Sequence, residues 1–208
     1  NNTYKAVSSN GDCIACATDA GDLVVANCGS TSRGDCIIGY GAQGHSCVKC
    51  LGQSFKTTAT NVACTTCVDN ADGCGFDTAG TCSAGYGGTT VGGNGVGSCT
   101  ACPTDTYKAD PGNAACTDCA KTTATETTTA TLIVANCGDT SPGECIAGYG
   151  MATGATSCAS CFGATYKASI GNTPCTDCTA NSTGCGGSEG PGTCAAGYAG
   201  TTDPTAAG

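Results

Sequence analysis

Tryptophan is absent from this chain, and methionine and histidine occur once each. Leu, Ile, Val and Phe together make up only about a tenth of its 208 residues, where an ordinary globule holds at least ~20%. That scarcity excludes a conventional hydrophobic core. Ordering the backbone costs about 1–2 kcal/mol per residue, and the alanine that lifts the apolar fraction to 39% buries too little surface to offset it. Positive charge is also scarce. Seven Lys+Arg face sixteen Asp+Glu, for a net charge of −9, which excludes the basic footprint that nucleic-acid binding requires. The longest aliphatic runs, such as Leu132–Ala135, fall far short of the ~20 residues of a membrane-spanning helix. Helical spacing of apolar residues is missing, and Gly, Asn, Asp and Thr interrupt nearly every segment, which predicts turns in place of helices.

Cysteine is what the chain has in abundance, with 22 residues. They follow one pattern four times: Tyr-Lys-Ala, Cys-x-x-Cys, a lone Cys, a Cys leading into Gly-Tyr, and a closing Cys-x-x-Cys. Repeat one (1–51) begins at Tyr4-Lys5 and uses Cys13, Cys16, Cys28, Cys36, Cys47 and Cys50. Repeat two (52–103) begins at Phe55-Lys56 and uses Cys64, Cys67, Cys74, Cys82, Cys99 and Cys102. Repeat three (104–162) begins at Tyr107-Lys108 and uses Cys116, Cys119, Cys137, Cys145, Cys158 and Cys161. Repeat four (163–208) begins at Tyr166-Lys167, has Cys175, Cys178, Cys185 and Cys194, and stops before its closing pair. Repeats one and three carry a long insert ending in near-identical text, Leu23–Gly29 and Leu132–Gly138. The natural division is therefore two long–short pairs breaking near Pro103. The β-branched runs Leu23–Val25 and Leu132–Val134 read as short strands, and Thr106–Lys108 and Thr165–Lys167 as single strands of two-stranded hairpins. The predicted fold class is small and disulfide-rich: an elongated tandem array of four cysteine-rich modules with short β-hairpins and little helix.

Three intervals keep one length, Cys50 to Cys64, Cys102 to Cys116 and Cys161 to Cys175, while the others vary. Disulfide geometry tolerates little change in Cα separation, so these three are predicted as bonds. Four cysteines per repeat then remain, with three connectivities open. The crossed arrangement, Cys16–Cys36 with Cys28–Cys47, is preferred as the more compact. The ends are unbalanced. Cys13 lacks the upstream partner of its counterparts, and one of Cys178, Cys185 and Cys194 is left over. Three readings stay open: a segment of a longer array, chains joined head to tail through Cys13 and Cys185, or Cys13 closing within its own repeat.

Seven Cys-x-x-Cys motifs invite a zinc-ribbon reading. Their dispersal among other cysteines in a Gly/Thr-rich acidic chain favours structural disulfides, and a redox role lacks its βαβ setting. His45, between Gly44 and Ser46, reads as an exposed loop residue, so no nucleophile–base pair can be assembled around it. Asp12, Asp19, Asp22, Asp35, Asp110 and Glu144 are scattered among turn residues. Acidic Gly-rich loops can ligate calcium, but no EF-hand pattern is present, and no metal or cofactor is expected. Lys5, Lys56, Lys108 and Lys167 recur once per repeat and read as solvated lysines whose stems cover a disulfide. Asn181-Ser182-Thr183 and Asn1-Asn2-Thr3 are acceptor sequons for N-glycans on Asn181 and Asn1. The stretch 122–131 is mucin-like. It offers Thr122, Thr123, Thr125, Thr127, Thr128, Thr129 and Thr131 as O-glycan sites, with a plain flexible insert as the alternative.

At Cys99-x-x-Cys102-Pro103, Thr106-Tyr107, Gly112 and Cys116-x-x-Cys119, the chain resembles the ephrin-receptor-like cysteine-rich modules, which are similar to the repeats of tumour-necrosis-factor and growth-factor receptors. The four repeats with their Ala/Thr/Gly-rich, Trp-free filler resemble the cysteine-periodic immobilization antigens of ciliates. That resemblance implies a secreted, lipid-anchored protein of the cell and ciliary surface. Thr205-Ala206-Ala207-Gly208 is small-residue text of the kind left after anchor attachment. Two functions are expected in competition. One is a glycosylated surface-coat or filament protein, associating head to tail and touching membrane only through a lipid anchor. The other is a ligand-binding or adhesive ectodomain, for which Phe76 and Phe162 are the few available hot spots. An enzyme is the least expected class.

Overall fold

The computed structural model describes residues 3–5, 12–19, 21–29, 31–91, 97–122, 130–200 and 202. Among them there is no helix, and every sheet is a two-stranded antiparallel ladder. Most strands are two residues long. The longest hairpins pair Tyr40–Gln43 with Ser46–Lys49 and Tyr86–Thr89 with Ser98–Ala101. Lone hairpins of this size are at best marginal in water, so something other than the ladders must fix them.

Ten disulfides do so: Cys16–Cys28, Cys36–Cys47, Cys50–Cys64, Cys67–Cys74, Cys82–Cys99, Cys102–Cys116, Cys119–Cys137, Cys145–Cys158, Cys161–Cys175 and Cys178–Cys185. The three loops of constant length are closed by their own cysteines. The crossed pairing expected for Cys16, Cys28, Cys36 and Cys47 is not what forms. From Cys16 to Cys185 the cysteines bond in consecutive pairs along the chain. The reason is local: the turn at Thr18–Asp19/Asp22–Leu23 returns the chain to Cys16, and the Tyr40–Lys49 hairpin returns it to Cys36. A short loop closes at smaller entropic cost than the longer crossed ones. Cys185 is likewise not a spare thiol, being bonded to Cys178. The free cysteines are Cys13, which is exposed, and Cys194.

The chain forms two compact halves, Asn1–Ala101 with Asp110–Ala115, and Cys102–Ala109 with Cys116–Gly208. In the first, Asp22–Leu23 pairs back onto Thr18–Asp19 while Val25–Ala26 pairs with Asp35–Cys36. The expected Leu23–Val25 strand is thus split at the buried Val24. In the second, Val134–Ala135 pairs with Glu144–Cys145. Half of the buried apolar side chains among the described residues are cysteines. Apart from Ala79, the remainder recur in matched positions: Val24 with Ile133, Val25 with Val134, Phe55 with Tyr166. Each half therefore holds a thin core of sulfur and β-branched carbon.

Candidate functional site

The three loops of equal length share more than their cysteines. Each has an aromatic residue at the fifth position after its first cysteine, lysine at the sixth and asparagine at the eleventh: Phe55-Lys56 with Asn61, Tyr107-Lys108 with Asn113, Tyr166-Lys167 with Asn172. The lysines are not solvated as expected. Lys56 is only 3% exposed, and Lys108 and Lys167 are buried too. The Lys56 ammonium donates to the carbonyls of Cys36 (2.9 Å) and Tyr40 (2.9 Å). That of Lys167 donates to Cys145 (3.2 Å) and Ser169 (2.8 Å). A buried ammonium is tolerable only when its protons meet acceptors; main-chain oxygens supply them, from the preceding hairpin for Lys56 and from the preceding hairpin and its own loop for Lys167.

The asparagines complete the clamp. Asn61 Oδ1 accepts from the Cys36 N–H (3.2 Å) while its Nδ2 donates to Gly34 O and to Asp35. Asn172 repeats this on Cys145 and Gly143. Asn113 does so on Cys82, and its amide also binds the buried Thr90. The main chain of the lysine adds a third tie. Lys56 N–H donates to Phe76 O and its carbonyl accepts from Gly39 N–H, as Lys167 does with Gly187 and Gly148. One lysine thus fastens the hairpin before it and the loop after it. Burial lowers the proton affinity of Lys56 and Lys167, and the nearby Asp35 and Glu144 carboxylates partly counter this.

Phe76 marks another junction. It is the one bulky residue with a positive φ (46°) among the described residues; at matched positions stand Asp139 and Gly187. Its ring meets Tyr40 edge-on at 5.8 Å, lies 5.0 Å from the Lys49 ammonium, and occupies the space where a side chain on Gly39 would project. A left-handed aromatic costs of order 1–3 kcal/mol and persists only where packing over-determines it.

Beside the Cys36–Cys47 hairpin lies a groove of 930 Å³, walled by Tyr4, Ile14, Val25 and Ala42 and rimmed by Arg33 and His45. These are the only arginine and the only histidine of the chain. One terminal nitrogen of Arg33, Nη1, contacts the Gly44 carbonyl and His45 Nδ1, each at 3.2 Å. A matched groove of 440 Å³ lies beside Cys145–Cys158, walled by Tyr107, Val134 and Met151, with Pro142 and Thr156 where the first has Arg33 and His45.

Other sequence-predicted sites stay apart. Every Cys-x-x-Cys after Cys13-x-x-Cys16 divides its two sulfurs between consecutive disulfides. Asp19 accepts from the Tyr40 hydroxyl (2.7 Å), and Asp35 from Asn61. Asn181 is exposed at a turn with φ 62°, directly before the Ser182–Thr183 strand. Thr122 and Thr131 close the neck of the threonine-rich insert, Thr122 N–H donating to Thr131 O (2.7 Å) and Thr131 N–H to Thr122 Oγ1 (2.9 Å). Asn1, Thr123, Thr125, Thr127, Thr128 and Thr129 lie outside the described residues.

Residues 88–137 match the family described as tyrosine-protein kinase ephrin type A/B receptor-like. The matched stretch takes in Cys99, the Cys102–Cys116 loop with its Tyr107-Lys108 and Asn113, and the following Cys119–Cys137 bridge. Together with the ten disulfides, this ephrin-receptor-like segment makes the chain a set of cysteine-rich repeat modules, consistent with an extracellular location. No curated protein and no solved structure is significantly similar to the chain.

Proposed function

We propose that the chain is a non-catalytic extracellular structural protein, an elongated, glycosylated surface-coat or filament component of the kind seen in the ciliate immobilization antigens. The observation that carries this reading is the unbroken run of ten nearest-neighbour disulfides, with the three loops of equal length each tied to the hairpin before it by its asparagine. Such an array is quasi-linear, with stability summed over neighbours rather than drawn from one core. Asn181, exposed in its sequon, is the favoured N-glycan site, and the threonines of the insert are the O-glycan sites. The exposed Cys13 thiol supports head-to-tail association with a neighbouring chain. Membrane contact is proposed through a lipid anchor; among the described residues no helix is long and apolar enough to cross a membrane.

Intact mass before and after alkylation under non-reducing conditions, followed by non-reducing peptide mapping, tests the scaffold. It should find no alkylatable thiols beyond Cys13 and Cys194, and the ten bonds named above. Electron microscopy should then reveal rods or filaments. More alkylatable thiols in the native protein, or compact isotropic particles, would overturn the coat reading.

A receptor-type adhesive ectodomain is the second reading. It is supported by the ephrin-receptor-like segment and by the groove bearing Arg33 and His45. Phe162, 86% exposed, is its most prominent apolar contact. Retention of the chain by cells or matrix, with no filament formed, would favour it.

A further inference from the structure

We infer that the groove beside the Cys36–Cys47 hairpin binds a carboxylate carried on a small apolar body. The argument begins with the arginine. A guanidinium has five N–H donors in a rigid fork. Both protons of Arg33 Nη1 are taken up by Gly44 O and His45 Nδ1. Among the described residues its Nη2 and Nε donors have no partner, and the one ion pair there joins Lys121 and Asp105. The Nη2–Nε edge is the one that meets a carboxylate through two parallel hydrogen bonds. Arg33 is thus held by one nitrogen with its recognition edge open.

His45 braces that arginine: because arginine can only donate, His45 Nδ1 is the acceptor of their contact. Among the described residues no aspartate or glutamate lines this groove, so none of them competes within it for the cation. The rest of the lining is mostly apolar, with Tyr4, Ile14, Val25 and Ala42 its main side chains and the neutral Thr31, Ser32, Ser46 and Asn61 among them. A concave, mostly apolar site with a few convergent polar groups is the usual form of a small-ligand pocket. The anionic end pairs with the rim, and an aliphatic or aromatic body covers the wall.

The second groove is the internal control. Its framework is the same, but Pro142 and Thr156 remove the cationic rim, and Asp118 lines it with a carboxylate. The specificity therefore belongs to Arg33 and His45 and not to the fold.

The test uses the whole oxidised chain and three probes: hexanoate, hexanamide and inorganic phosphate, followed by amide nuclear magnetic resonance. Hexanoate should shift the amides of Gly34, Gly44, His45 and Val25 in a saturable way and leave those around Pro142 and Thr156 unmoved. Hexanamide, the same body without charge, and phosphate, a charge without the body, should each bind at least about tenfold more weakly. Arg33→Gln, with spectra otherwise unchanged, should lower hexanoate affinity by about tenfold or more. Equal binding of hexanoate and hexanamide would overturn the proposal, as would equal binding of phosphate, retention of affinity in Arg33→Gln, matched shifts in the second groove, or no saturable shift at all. None of these outcomes bears on the disulfide map, so the coat reading stands or falls separately.

Discussion

In the first half the cleft under the Cys36–Cys47 hairpin is rimmed by Arg33 and His45; in the second, the cleft under Cys145–Cys158 carries Pro142 and Thr156 at those places. Behind the rims the two are built alike. Val25 and Val134 form the wall, Asn61 and Asn172 pin the hairpin, and Lys56 and Lys167 fill the space beneath. Even the acid near each lysine is kept, as Asp35 and Glu144. The difference teaches that groups satisfying buried main chain are held constant while groups facing solvent drift. A hairpin stapled at its base tolerates almost any tip: the second one is two residues longer than the first.

Matched substitutions in the two halves should break that comparison if it is false. The largest effect is expected from the buried staples. Cys36→Ala/Cys47→Ala and Cys145→Ala/Cys158→Ala should each cost about 3 kcal/mol, read as loss of hydrogen-exchange protection in the half concerned. Next are Gly41→Ala and Gly150→Ala. A Cβ at Gly41 would fall on the backbone nitrogen and sulfur of Cys64, and one at Gly150 on those of Cys175. Overpacking of this kind costs about 1–3 kcal/mol and should slow oxidative closure of the Cys50–Cys64 and Cys161–Cys175 loops, measured by thiol trapping during refolding.

Lys56→Met and Lys167→Met keep the stem and delete the ammonium. Each leaves a main-chain carbonyl short of a donor, so about 1–3 kcal/mol should be lost in urea titrations, with similar values in both halves. The smallest effect is alkaline. Lys56 and Lys167 hold their protons less tightly in the folded chain than the ordinary 10.5. Between the lowered value and 10.5 the unfolded chain binds more protons, so their contribution to stability rises with pH across that window. Below it, both states are charged and the full cost of burial applies. With Cys13 and Cys194 alkylated to prevent thiol exchange, the advantage of the parent over the double Met variant should grow as pH climbs toward 10.5. A shrinking advantage would mean that the carbonyl cages raise these pKa values instead.

Much of the scaffold was legible in the cysteine text. Constant spacing sufficed to pair Cys50 with Cys64 and its two counterparts, because loop closure is a length constraint. Variable spacing carried no such information, and the crossed assignment of Cys16, Cys28, Cys36 and Cys47 failed where a turn at Gly21 and a hairpin at Gly44 brought neighbours together first. The lysines were misread because the general preference of an ammonium for water says nothing of a cage of carbonyls assembled by loops distant in sequence. Their partners Asn61, Asn113 and Asn172 did leave a signal, a fixed eleventh position in each equal loop. Arg33 and His45 left none, since only the hairpin between them makes them neighbours.

Because every bridge joins a cysteine to the next one along, the chain alternates between covalently closed circuits and single-stranded ties, such as 29–35, 48–49 and 75–81. A protease that cuts within a circuit leaves both new ends attached to the molecule, and this holds for the threonine-rich insert, which lies wholly inside the Cys119–Cys137 circuit. Only a nick in a tie can part the bridged region into fragments without reductant, and the longer ties are held in place, 29–35 by Asn61 on Gly34 and Asp35 and 75–81 by the Lys56 N–H on Phe76 O.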